Sequence, residues 1–195
     1  MTFRRTILTA VPVLGLLGLG VPVRAEEHSN KVTWKRIVGI VVPGSLVGRR
    51  LDGTCDVDVG CVEGTPAPWV TTEGFADVIL DTGKVDFMVK GLVLAGDPSF
   101  SNIGTTSVIS MVKGTLVCND TEPGAPELVD TDAVPLSSRG NAKFHGHVDL
   151  PASCVDEPGD IVFLIRIADV SDPEREALID SWNAFGAVRS DHDSE

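Results

Sequence analysis

Two histidines one residue apart, His145 and His147, are the pair in this 195-residue chain best suited to chemistry. On a strand, residues i and i+2 project from the same face, so two imidazoles spaced this way could chelate a transition metal. Asp149 continues that face as a third ligand, and His28 and His192 stand near the chain ends. The competing reading is a solvent-facing strand surface, with Phe144 and Val148 turned to the core, and the alternation fits it well. A second candidate is built from oxygen ligands. Asp56-x-Asp58-x-Gly60, with Asp52 and Glu63 nearby, resembles part of a calcium loop. It lacks the third ligand and the distant bidentate glutamate of an EF-hand, and it reads equally as an acidic surface loop. No cofactor is expected, a divalent metal at one of these clusters being the exception they allow.

Four cysteines follow the leader: Cys55, Cys61, Cys118 and Cys154. An even count in an exported chain reads as disulfides, with three pairings open. The preferred pairing is Cys55–Cys61, close in sequence across a turn, and Cys118–Cys154, where two strands end. The spacing does not suit a four-cysteine zinc site, which wants close C-x-x-C pairs. For nucleophilic catalysis there is no G-x-S-x-G elbow and no free reactive thiol. Carboxylates are plentiful, but no pair stands apart for glycosidase work. Gly91 and Gly96 lack the Lys-Ser/Thr that a phosphate loop needs. Asn119-Asp120-Thr121 fits an N-glycosylation pattern, though the bacterial character of the leader argues against a sugar there. Trp69 and Trp182, among apolar neighbours, read as core.

The elements that would position these residues are strands punctuated by turns. Trp34 to Val42 is a strand candidate ended by Pro43-Gly44. Trp69 to Leu80 and Lys84 to Leu94 form the clearest unit, a hairpin around Asp81-Thr82-Gly83 with Gly83 available for φ > 0. Val85, Phe87 and Val89 share one face of its second strand. Thr106 to Cys118 follows, with Gly114 as an expected bulge or bend. Glu127 to Val134, Ala142 to Leu150 and Trp182 to Val188 are further strands, and the apolar run Ile161 to Ile167 suits a central one. Ser171-Asp172-Pro173-Glu174 opens a short helix near 172–180, with Ser171 as its cap. The expected fold is all-β: a single antiparallel sandwich or small barrel of about eight or nine strands with one short helix.

Residues 1–25 read as a cleavable export signal. Arg4 and Arg5 form the basic end, Ile7 to Val21 the apolar stretch, and Val23-Arg24-Ala25 the cleavage site. The stretch is short of the roughly 20 residues that span hydrocarbon, so no stable membrane insertion is expected after cleavage. Arg4-Arg5 before Thr6-Ile7-Leu8 resembles a twin-arginine signal, although Phe3 stands where Ser or Thr is usual. The protein is expected to be secreted or periplasmic. After the signal come a flexible leader (26–32), the β domain (33–189) and a charged tail (190–195). The whole chain carries 28 acidic and 16 basic residues, a net charge of −12. Three of the basic ones leave with the signal. Such a surface repels phosphate backbones and anionic lipid, so nucleic acid is not an expected partner, and the sequence names no other. With no Tyr and few aromatics, a carbohydrate platform is a poor fit.

The stretch Pro68-Trp69-Val70, Gly74-Phe75-Ala76, Val85-Asp86-Phe87 and Gly91-Leu92-Val93-Leu94 resembles a family of uncharacterised exported bacterial β-rich proteins. Gly114-Thr115-Leu116-Val117-Cys118, Leu150-Pro151 with Cys154, and Trp182-Asn183-Ala184-Phe185-Gly186 extend the resemblance over most of the mature chain. It implies no activity, and it implies the Cys118–Cys154 pairing. The Gly74-to-Gly91 hairpin is also similar to that of CHRD domains, extracellular β modules, but the His-x-His segment of those domains is missing at the corresponding place. The leading expectation is a non-enzymatic structural or binding module at the cell envelope or outside the cell. The alternatives are a metal-binding protein or metalloenzyme using His145 and His147, and a calcium-stabilised adhesion or matrix module using Asp56 and Asp58.

Overall fold

The computed structural model describes residues 30–47, 61–96, 102–118 and 126–191. The signal segment, the 52–60 acidic loop with Cys55, Asp56 and Asp58, and both His28 and His192 lie outside the described residues.

The first strand, β1 (Lys31–Gly39), begins inside the expected leader because Val32 is already buried beside Trp34. It stops before Val42: Val41 and Val42 are exposed, and the Pro43-Gly44 turn takes over. β2 (Leu46–Val47) and β3 (Val62–Glu63) make a short ribbon. The expected long hairpin is divided. β4 (Trp69–Val70) and β7 (Val93–Leu94) pair as a separate ribbon, while β5 (Glu73–Ile79) and β6 (Lys84–Lys90) pair around a turn with Gly83 at φ 66°. Tertiary contacts cause the break. The Thr71 hydroxyl donates to the Ile37 carbonyl, and Gly91, at φ 63°, lies so close that a Cβ there would meet Thr72 at 2.7 Å.

β8 (Ile109–Cys118) is followed by β9 (Glu127–Asp130), β10 (Val134–Pro135) and β11 (Ala142–His147). α1 (Ala152–Asp156) is a helix the sequence did not announce. β12 (Val162–Val170) and β13 (Trp182–Asp191) follow, and β13, the last strand among the described residues, reaches into the expected tail. The short helix expected near 172–180 is a 3-10 turn, Pro173–Leu178. Its cap is Asp172, which accepts from the Glu174 N–H, whereas Ser171 donates to the Val108 carbonyl.

The main sheet is antiparallel throughout, in the order β10-β8-β12-β13-β1-β5-β6-β11, with β9 beside β10 along the same edge of β8. It curls into a half-barrel rather than packing as two faces. The interior rings prove the curl: Phe163 on β12 lies 5.5 Å from Trp34 on β1 and 5.7 Å from Phe87 on β6, centroid to centroid. Val85, Phe87 and Val89 are fully buried, as their period of two requires. Phe163, Leu164, Ile165 and Ile167 make β12 the buried centre. Gly114 forms no bulge. It pairs in regular register with Ile165, and the irregularities of the β8–β12 ladder fall between Ile167 and Val170. Among the described residues, no helix is long and apolar enough to cross a membrane.

Candidate functional site

A curled sheet that does not close leaves two strand edges, and here they face each other. A turn that includes the Ser137 N–H to Asn141 carbonyl bond at 3.0 Å joins β10 to β11, holding the seam together at one end. At the other end β9 and the 147–151 segment diverge around a groove of about 720 Å³. Glu127, Leu128, Asp130 and Asp132 line one wall, and His147 and Asp149 the other.

The ladder geometry tells which backbone groups point into the seam. In an antiparallel ladder, alternate residues turn their N–H and C=O to the partner strand, and the rest turn away. The Val148 N–H donates to the Gly83 carbonyl and the Leu92 N–H to the Gly140 carbonyl. Even-numbered residues of β11 therefore bond to β6, and Lys143, His145 and His147 present their backbones to the open side. On the other wall, the Thr131 N–H donates to the Gly114 carbonyl, so Leu128 and Asp130 turn outward. Among the described residues, no hydrogen bond outside the ladders engages the backbone amides of these five.

A disulfide ties the walls together. Cys118 sits opposite Glu127, the first residue of β9, and bridges to Cys154, which follows the groove residue Pro151. Both cysteines are fully buried. The Ser153 hydroxyl, beside Cys154, donates to the Glu127 carboxylate.

Asp130 links the groove to an ion cluster on β8, β12 and the turn before β13. Its carboxylate lies 2.7 Å from Lys113 Nζ and 3.2 Å from Arg166, and accepts the Thr115 hydroxyl at 2.6 Å. Lys113 and Arg166 also reach Asp180, at 2.6 and 3.2 Å. Burial pushes the Asp130 carboxyl up. The hydrogen bonds from Lys113 and Thr115 and the Arg166 charge outweigh it, holding Asp130 below the usual carboxylate range. It stays ionised in the groove wall at neutral pH.

The structure separates the two histidines. His147 and Asp149 belong to the groove. His145 shares the exposed face but engages Asp86 through Nδ1, next to Lys84. Burial raises the Asp86 carboxyl, and its bonds and charge interactions with His145 and Lys84 lower it further than that. Phe144 and Val148 turn inward as the alternation requires. Among the described residues, no three His, Cys, Asp or Glu side chains gather as a metal would need, and neither histidine bonds a hydroxyl or thiol through its ring. Cys61 is disulfide-bonded, and Cys118 bridges to Cys154, the preferred pairing of the three. Trp69 and Trp182 are buried.

Sequence reasoning missed Glu127, Asp132 and the Lys113–Asp130–Arg166–Asp180 cluster. One signal was present. Arg166 interrupts the apolar run from Ile161 to Ile167, and a cation in a buried strand requires carboxylates around it. With fold and groove in view, the chain matches no known family model, no curated protein and no solved structure.

Proposed function

We propose that this is an exported, non-enzymatic binding module and that the seam groove between β9 and β11 is its binding surface. The observation that carries this reading is the pair of open strand edges facing one another over a polar groove whose walls are clipped by Cys118–Cys154. Open edges are a hazard that folds usually cover, so edges left open where a covalent bridge fixes the spacing of the walls have a use. A disulfide also suits an oxidising compartment, in line with the signal-like N-terminus.

The test places a photo-crosslinking residue at His147, and separately at exposed Lys35 on β1, in the chain exported by its own host. The reading requires a defined adduct from position 147 that is absent from position 35 and lost in a Cys118→Ala/Cys154→Ala variant. Equal labelling at both positions, or none at 147, removes it. Native mass spectrometry of the same material before and after chelator addresses metal. A metal adduct that leaves with chelator and is lost on changing both histidines to Ala would put the His145–His147 reading in its place.

A further inference from the structure

We propose that the groove takes an extended peptide segment bearing Lys or Arg on alternate positions, which adds to the free edge of β11 as a further strand. The inference rests on the groove being the binding surface, and it names the occupant.

The backbone argues for strand addition. Lys143, His145 and His147 turn their backbones to the open edge of β11, of which His147 lines the groove, and Leu128 and Asp130 turn theirs from the other wall; among the described residues no partner strand takes them up. An extended peptide satisfies such groups with main-chain hydrogen bonds whatever its side chains are. Strand direction alternates along the sheet from β9 through β8, β12, β13, β1, β5 and β6 to β11. The two walls therefore run antiparallel to each other, and a guest between them is antiparallel to one and parallel to the other.

Side chains select the guest. Val129, Val148 and Leu150 are half-buried, line the groove and pack on the core, and suit an apolar residue at every second position of a guest. The rim is acidic. Among the described residues, Asp132 and Asp149 are exposed and meet no cation, and the Glu127 carboxylate accepts the Ser153 hydroxyl without a cation beside it. Asp130 is ion-paired to Lys113 and Arg166, so the uncompensated charge of the rim comes from Asp132 and Asp149. A second copy of this chain, net −12, would be repelled, as would any anionic partner. A cationic, alternating segment fits both the floor and the rim.

The test uses three fluorescent hexapeptides on the full mature chain: alternating Lys and Val, alternating Glu and Val, and the Lys-Val peptide N-methylated at every second backbone nitrogen. Anisotropy reads affinity, and amide hydrogen exchange reads location. The expected result is that the Lys-Val peptide binds, slows exchange at His145 and His147, and weakens with salt. Asp132→Asn/Asp149→Asn, both exposed and outside the ladders, should weaken it by about three- to tenfold while leaving the melt unchanged. If the Glu-Val peptide binds as well and protects the same amides, the groove stands and the cationic occupant falls. If the N-methylated peptide binds as tightly, strand addition falls. If no peptide alters exchange along β9 or β11, the peptide occupant falls, and the groove reading stands or falls separately on the crosslink at position 147.

Discussion

Arg166 and Asp180 are joined twice. The guanidinium Nε donates to the Asp180 carbonyl oxygen at 2.7 Å, and a terminal nitrogen lies 3.2 Å from the Asp180 carboxylate. Asp180 holds this position at φ 70°, in the left-handed region. The strain is tolerated because the carboxylate also reaches Lys113 at 2.6 Å and the Asp180 N–H donates to the Ile167 carbonyl. The turn that leads into β13 is therefore pinned to β12 and β8 by charge as well as by backbone.

Two substitutions at Asp180 separate charge from strain. Asp180→Ala and Asp180→Gly both remove the carboxylate and leave Arg166 its bonds to the carbonyl and to Asp130. Only alanine keeps a Cβ at φ 70°. The glycine variant should be the more stable by about 1 kcal/mol, its greater freedom when unfolded offsetting part of the relief. Urea unfolding of the two measures this, and equal midpoints would mean the backbone conformation is not costly.

Much of this architecture was legible because it is local. Gly83 between two alternating segments marks the β5–β6 turn, the apolar run marks β12, and the outward face of His145 and His147 follows from Phe144 and Val148 alone. What was not legible depends on distant partners. The break between β4 and β5 is set by Thr71 reaching Ile37. α1 has no side-chain cap and is five residues long, and the Cys154 bridge anchors it. Arg166 finds its carbonyl 14 residues away and its carboxylate 36 away. The seam itself is a property of strand order, which hydrophobic periodicity does not encode.

Acid should weaken the fold through Asp130. Its folded pKa lies below the ordinary value of 3.8, so in acid the unfolded chain binds more protons than the native one and stability rises with pH. The contribution is complete above about pH 5 and is lost as pH falls through the lowered folded value. Asp86 acts with the same sign. Urea midpoints followed from pH 7 down to pH 3 should fall less steeply for Asp130→Asn than for the native chain. Identical slopes would show that the Lys113–Arg166 cluster does not hold the proton off.

Cys118–Cys154 spans 36 residues, and in the chain-entropy picture its loss costs about 3–4 kcal/mol. A Cys118→Ala/Cys154→Ala variant is preferable to reductant, because Cys61 is also disulfide-bonded and would be reduced together with this pair. The variant should melt lower. Hydrogen exchange should quicken first along 147–154, where the bridge holds the groove wall, and later in β12. Uniform acceleration over the sheet would assign the bridge a global role and none specific to the groove.

Gly114 tests the curl of the sheet. A Cβ at this position would meet Phe87 at 2.9 Å and Phe163 at 3.0 Å, two rings carried by β6 and β12, which are far apart in strand order. Both rings are backed by others, since Phe87 stacks on Phe144 at 5.8 Å and Phe163 lies tilted against Trp34 at 5.5 Å. Gly114→Ala should therefore cost about 1–3 kcal/mol by overpacking. Gly159→Ala, where a Cβ meets nothing within 4 Å, is the control and should be near neutral. Trimming the ring it strikes, in a Gly114→Ala/Phe87→Leu double variant, should cost less than the sum of the two single changes, and a double-mutant cycle on urea unfolding measures the coupling. Strict additivity would mean that β8 and β6 do not face one another across the core, and the half-barrel that forms the seam would have to be redrawn.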